Sequence, residues 1–350
     1  MSRPHPVGAA PGAPRLQVDY VEAAPGDLLA EPDVLAVLGF GNAAPLLDDP
    51  RYLRVPLQPH GEAAPLEVWR TRGPVHCGRE TVPAEAGGTI AWSCDGELLF
   101  GAIEVDEPAG HTGVGDNSGI LLAAEYAYRE MSRFLGGSDY PHLLRVWNYL
   151  DAITVGDGDT ERYRQFCVGR AQGLGDFDTH NLPAATAIGR CDDARTIQVY
   201  WLAARLPGTP VENPRQVSAY RYPREHGPQS PSFARAMLPP AGSAMPLLLS
   251  GTASIVGHAS QHEGELLAQL DETFANFDAL IASARARRPD LPPAFGPGSR
   301  LKVYVRDAED LPLVAEAFEA RFGDQLPRVL LHAAICRREL ALEIDGVHSA

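Results

Sequence analysis

The stretch Ile335-Cys336-Arg337-Arg338-Glu339-Leu340-Ala341-Leu342-Glu343-Ile344-Asp345-Gly346 decides how the chain is read. With Leu330-Leu331-His332-Ala333-Ala334 before it, it predicts two strands paired through the charged turn Arg337-Arg338-Glu339. In the second strand Leu340, Leu342 and Ile344 alternate with Ala341, Glu343 and Asp345, the period of a strand whose two faces differ. Glu343 therefore lies opposite the large aliphatics, late in an otherwise apolar run. A carboxyl group there is either a solvated charge or a proton donor lining a cleft. The strand pattern by itself favours the solvated charge.

Working back from this stretch, the same order of elements occurs twice. A strand at Leu98–Ile103 precedes an amphipathic helix with Ala124, Tyr128, Met131 and Leu135 on one face, capped by Asn117 or Ser118. The strand Leu144–Leu150, a helix over 162–172 and a closing pair at 184–188 and 195–202 follow. In the second half a strand over 247–257 leads into a helix whose Leu270, Phe274, Phe277 and Ile281 fall 146 positions after those four residues. The strand Leu301–Val305, a helix at Leu313–Phe322 and the opening stretch complete the copy. The closing pairs are offset by 145, which aligns Cys191-Asp192-Asp193 with Cys336-Arg337-Arg338 and sets Glu343 on Gln198. The register implies an internal duplication of a β-α-β-α-β-β unit.

The expected organisation is an N-terminal extension over 1–90, a first module over 91–205, a linker over 206–246 and a second module over 247–350. Val34–Leu38 and Leu53–Leu57 read as strands of the extension. Gly39-Phe40-Gly41-Asn42 lacks the spacing of a nucleotide cradle. The linker concentrates arginine, tyrosine and proline in Tyr220-Arg221-Tyr222-Pro223-Arg224 and in 227–235, the make-up of a binding loop. Its Ser218–Tyr222 run reads as a short strand.

A net charge of −15 and a pI near 5.1 argue against nucleic acid and anionic membranes as partners. An anionic substrate would need arginines gathered locally. Met1–Pro14 has no apolar run, so no signal peptide is expected, and no window is apolar enough for a membrane span. The five cysteines are odd in number and share no C-x-x-C spacing, so neither a disulfide framework nor structural zinc is expected. The expectation is a cytoplasmic protein with no cofactor and no metal. Asp157-Gly158-Asp159 reads as a turn rather than a calcium loop.

The last hundred residues resemble the RidA (YjgF-like) family through Ser250-Gly251, Gln269, Thr273-Phe274, Asn276-Phe277, Val303–Asp307 and Leu342-Glu343-Ile344. Over nearly the whole length the chain resembles the chorismatases. The motifs are Phe166-Cys167-Val168-Gly169-Arg170, Ala184-Ala185-Thr186-Ala187-Ile188-Gly189, Asn213–Tyr220, Ser230–Arg235, Ser250–His258 and Ile335–Leu340, in that order. The resemblance implies an α+β fold of two pseudo-symmetric RidA/YjgF-like β-α-β-α-β-β modules with an N-terminal extension. It implies chorismate as the substrate and pyruvate as one product. Cleavage of the enolpyruvyl ether needs a proton delivered to a weakly basic methylene carbon. The family pattern places that acid at Glu343, in an apolar setting that would keep it protonated; Gln198 could not serve.

Two carboxylates must also be held, which calls for arginine forks and tyrosine hydroxyls. Tyr163 and Arg170, seven apart on one helix face, and Tyr222 and Arg235 on the linker are the candidates, with Arg221, Tyr220 and Arg215 in reserve. Cys336 is read as a small packed side chain or, through the resemblance, as a product selector together with Gly251. Chorismatases that form 3-hydroxybenzoate carry Gly and Cys where the branch making a dihydrodiol carries larger aliphatics. The expected reaction is therefore chorismate to 3-hydroxybenzoate and pyruvate. Hydrolysis to the dihydrodiol, RidA-like enamine or imine hydrolysis, and a non-catalytic aromatic-acid-binding module are the alternatives. His258 could orient Glu343 or merely pack. Two modules in one chain could make a self-sufficient monomer, with a trimer as the other assembly considered.

Overall fold

The computed structural model describes residues 15–61, 64–83, 88–110, 117–175, 178 and 181–350. Met1–Pro14, read above for a signal peptide, lies outside them. The chain opens with β1 (Gln17–Val21), α1 (Pro25–Leu29), β2 (Val34–Phe40), β3 (Tyr52–Val55), β4 (Gln58–Pro59) and β5 (Leu66–Arg70). It continues with β6 (His76–Thr81), β7 (Thr89–Cys94), β8 (Leu98–Asp106), α2 (Ser118–Gly136), β9 (His142–Asp151), α3 (Arg162–Leu174), β10 (Ala184–Arg190) and β11 (Thr196–Ala204). After β12 (Thr209–Val211) and β13 (Ala236–Leu238) come β14 (Leu247–Thr252), β15 (Ile255–Val256) and β16 (Ala259–Ser260). The chain ends with α4 (Leu266–Arg285), β17 (Arg300–Val305), α5 (Leu311–Phe322), β18 (Arg328–His332) and β19 (Leu342–His348).

One sheet runs β10-β9-β11-β8-β7-β6 and a second runs β18-β17-β19-β14-β13-β12, with β4 added beside β18. The two orders correspond strand for strand, so the duplication seen in the register of the helices is present in the topology. β6 and β7 lie in the first of these sheets, while β1-β5-β2-β3 form a third sheet of their own. In each large sheet one strand pairs parallel with one neighbour and antiparallel with the other: β9 lies between β10 and β11, β17 between β18 and β19. The opening stretch is therefore not a hairpin. Its two strands flank β17, because α5 returns the chain parallel to β17 and only then does β19 cross to the far side.

Alternation along the strands sets the layers. Leu342 and Ile344 join Leu301, Val303 and Val305 beneath α4 and α5, while Val146, Val199 and Trp201 pack under α2 and α3. The opposite faces turn inward, where Trp69, Trp147, Tyr200, Tyr304 and Leu331, from all three sheets, share one core. Each large aliphatic buried on the helix side contributes roughly 1.5–3 kcal/mol. That anchoring commits the intervening residues, Glu343 and Asp345 among them, to the interior face. Among the described residues no helix is long and apolar enough to cross a membrane.

Asn117 is the N-cap residue of α2, but its amide donates to the carbonyls of Val155 and Thr160 instead of capping the helix. The Ser218–Tyr222 run is not a strand. Ala219–Arg221 form a single 3-10 turn, and Tyr222 is extended (φ −60°, ψ 139°), as a residue before proline prefers. Just after that turn the Arg224 guanidinium donates to Asp159, so the 157–159 turn serves as a docking point for the linker.

Candidate active site

On β19, Glu343 faces Tyr304 across the β17 pairing, just as Gln198 on β11 faces Tyr149 on β9. The two tyrosine hydroxyls meet at 3.1 Å, so the repeat equivalence of Glu343 and Gln198 holds in three dimensions. Their surroundings differ. Gln198 donates to the Arg54 carbonyl at 3.0 Å and to the Glu104 carboxylate at 2.5 Å, so strand β3 closes over it. Glu343 instead opens into a cleft of about 1080 Å³, counting its mouth, between β10 and α3 of one module and β14 and β19 of the other.

Gly251 on β14 makes room for the acid. A Cβ there would overlap the Glu343 Oε1, so the carboxyl occupies the volume a side chain would fill. Glu343 is only 6% exposed. Burial, reinforced by the Asp345 charge two residues on, pushes its pKa up to about 8, while Cys336, Arg145 and Arg235 pull the other way. The group is thus a neutral acid at neutral pH. Asp345 itself is wholly buried, paired with Arg145 at 3.1 Å and accepting from Trp147, Thr186 and Tyr304.

Cys336 reaches the cleft because Ala334 bridges Gly189 on β10, with hydrogen bonds of 2.7 and 3.0 Å in the two directions. Its thiol points to Glu343 Oε2 at 3.8 Å. Burial, and next the Glu343 charge, hold that thiol well above the ordinary cysteine range. An un-ionised thiol is a poor nucleophile. His332, four residues earlier, sits at the end of β18 beside β4 instead.

Helix α3 brings Tyr163 and Arg170 to the opposite wall. It can do so because Gly169 and Gly173 lie flat on α2: a Cβ on either would overlap the backbone of Leu121 or Glu125. Arg170 is 4% exposed, and its Nε and Nη2 have no hydrogen-bond partner among the described residues. Its guanidinium rests over the Tyr128 ring at 5.1 Å. Arg235 arrives from the linker, held where Ala234 bridges Ala184 of β10. Its Nη2 donates to the Tyr222 hydroxyl at 2.7 Å and to the Val217 carbonyl at 2.9 Å, which leaves Nε unpartnered. Unpartnered buried guanidinium donors are costly. Both arginines line the same cleft.

All seven residues singled out from the sequence, Glu343, Cys336, Tyr163, Arg170, Tyr222, Arg235 and Gly251, line this cleft. The reserves do not. Arg221 is exposed and stacks on Tyr220, and Arg215 is tied to Glu272 and Asn276. His258 does not orient Glu343, because its ring meets His226 and Glu225. Sequence reasoning missed Thr186. Its hydroxyl accepts from the Gly251 N–H at 2.9 Å and from Arg145 at 2.5 Å and donates to Asp345 at 2.7 Å, which ties the cleft floor to the interior charges. The residue stood inside a quoted motif, but nothing in a strand of small residues marks one hydroxyl as a junction.

The chain is similar to known proteins over most of its length. The family model "Chorismatase FkbO/Hyg5-like, N-terminal" matches residues 67–203. A protein named chorismatase from Streptomyces hygroscopicus is 34% identical over 332 residues, covering 92% of this chain and 91% of its own. One named 3-hydroxybenzoate synthase, from the same organism, is 34% identical with 80% of each chain covered. A crystal structure of a chorismatase superposes with a TM-score of 0.79 at 31% identity, covering 96% of this chain and 98% of that one. The chain belongs to the chorismatase family. Its fold is the α+β one expected, two large sheets whose strand orders correspond, with an N-terminal sheet beside them.

Proposed function

We propose that the protein cleaves chorismate to 3-hydroxybenzoate and pyruvate without a cofactor, with Glu343 as the acid. The observation that carries this reading is a buried, neutral carboxyl group in one cleft with two arginines whose guanidinium groups each keep an unpartnered donor. Arg170, with Tyr163 beside it, and Arg235, braced by Tyr222, hold the ring and enolpyruvyl carboxylates. Glu343 protonates the methylene carbon, which becomes a methyl group, and the ether carbon becomes an oxocarbenium ion. The substrate's 4-hydroxyl oxygen then attacks C3. The C3–O bond breaks, its electron pair completes the carbonyl of pyruvate, and the hydroxyl proton returns to Glu343. The arene-oxide-like product opens and re-aromatises to the phenol, an isomerisation that needs no further reactant. Small residues at Gly251 and Cys336 leave space for this internal displacement, and the relative named 3-hydroxybenzoate synthase supports that branch. Because both walls come from one chain, a monomer suffices for one site, with the second module carrying the acid and the first supplying Arg170.

The test is incubation of the purified chain with chorismate and chromatographic resolution of the products. Equimolar pyruvate and 3-hydroxybenzoate are expected. No pyruvate would overturn the reading, and pyruvate with a non-aromatic diol would overturn the branch.

A further inference from the structure

Outside the acid and its arginines, the cleft mouth holds a cluster that the proposed reaction does not use. His226 belongs to the short turn Arg224–His226 of the linker, and His258 to the turn between β15 and β16, where Gly257 takes a positive φ of 63°. His226 Nε2 lies 3.0 Å from His258 Nδ1. The Glu225 Oε1 lies 3.6 Å from the first nitrogen and 3.4 Å from the second. These are one atom from each residue, so they form a closed triangle. A triangle with those sides has a point about 1.9 Å from all three corners, and an ion slightly above that plane meets each at the roughly 2.0–2.2 Å of zinc–imidazole and zinc–carboxylate bonds.

We propose that Glu225, His226 and His258 form a binding site for a first-row divalent cation, zinc foremost, at the mouth of the cleft. Two imidazoles and a carboxylate converging on one point are a His₂Glu set, with the fourth tetrahedral position left to water. The site is reachable: the side chains are 23% (His226), 39% (His258) and 65% (Glu225) exposed. Arg337, which donates to the His258 carbonyl at 2.9 Å, and Arg164 both oppose a cation here, and Glu225 is the one carboxylate in the triangle. The balance describes an exchangeable ion. Bound there, it would staple the linker to the β15–β16 turn. It would also fix His226, whose ring lines the cleft and packs 5.2 Å from that of Tyr222.

The experiment is titration of the untagged, reduced, chelator-treated full chain with Co²⁺, followed by its visible d–d absorption, and then with Zn²⁺. One saturable equivalent with a four-coordinate spectrum is expected, without thiolate charge transfer and displaced by Zn²⁺. His258→Asn and Glu225→Gln, both at exposed side chains, should each weaken cobalt binding at least tenfold while far-UV circular dichroism is unchanged. The proposal is overturned by the absence of a saturable visible band or by full-strength binding in both variants. It is also overturned by a thiolate band, which would place the metal on the exposed Cys77 or Cys191.

Discussion

A carboxyl group that titrates near 4.5 in an unfolded chain and near 8 in the folded one couples function to stability through the same proton. Folded Glu343 retains a proton that the unfolded chain has already lost between those two pH values. The cost of burying its charge is therefore absent below about pH 4.5, grows as pH rises, and is complete above about pH 8. Across that interval the slope is up to about 1.4 kcal/mol per pH unit. Two consequences can be measured. Turnover should hold at neutral pH and fall along an alkaline limb centred near pH 8, where the acid ionises. Glu343→Gln, which keeps the shape and removes the titration, should melt at a higher temperature than the native chain at pH 9 and within a degree or two of it at pH 5. Equal melting at both pH values would mean that Glu343 is not held protonated. At this scale the sequence was informative about the face on which Glu343 lies, because alternation of Leu340, Leu342 and Ile344 is a local property. It was silent on Asp345 and Thr186, whose roles depend on which strands come together.

Helix α3 is the element that turns a sheet face into a receptor. The spacing Gly169-Arg170-Ala171-Gln172-Gly173 places two glycines one turn apart against α2 and presents Arg170 to the cleft. Gly169→Ala inserts a methyl group into the Leu121 backbone and must push the helices apart. It should cost about 1–3 kcal/mol, read as a lowered urea midpoint, and should raise KM for the substrate more than it lowers kcat, because Arg170 moves with the helix. The four long helices were legible from periodicity, as were the strands beside them, whereas the short α1 was not. The pairing of strands was not: the segments joined by Arg337-Arg338-Glu339 look like a hairpin, and only the parallel return of α5 puts β17 between them. The linker was legible as a binding loop through its arginines and tyrosines. The meeting of His226 with His258 was not, since the two residues are separated by 32 positions and two turns.

Over the whole molecule, three sheets turn their inner faces to one centre, and the charges there are shared between them. Glu67 of β5 accepts from Lys302 of β17 at 3.1 Å, Lys302 lies 3.8 Å from Asp345 of β19, and Asp345 pairs with Arg145 of β9. This chain of buried charge connects the N-terminal sheet to both modules and ends two residues from Glu343. Asp345→Asn leaves Arg145 without its carboxylate, so it should destabilise the fold by about 3–5 kcal/mol in equilibrium unfolding. It also removes the negative charge that helps keep Glu343 neutral, so the alkaline limb of the remaining activity should move to lower pH. A limb left in place would separate the two carboxyl groups functionally. The duplication explains why only one of the two equivalent positions is equipped: β3 covers Gln198, whereas the linker brings Arg235 to the side of Glu343. The role of Glu343 is therefore decided by pyruvate release from chorismate by the native chain and by Glu343→Gln, which carries in the second module the residue that the first already has. The variant should bind chorismate within a few-fold of the native affinity and release pyruvate at least a hundredfold more slowly. Turnover at the native rate by that variant would contradict that role.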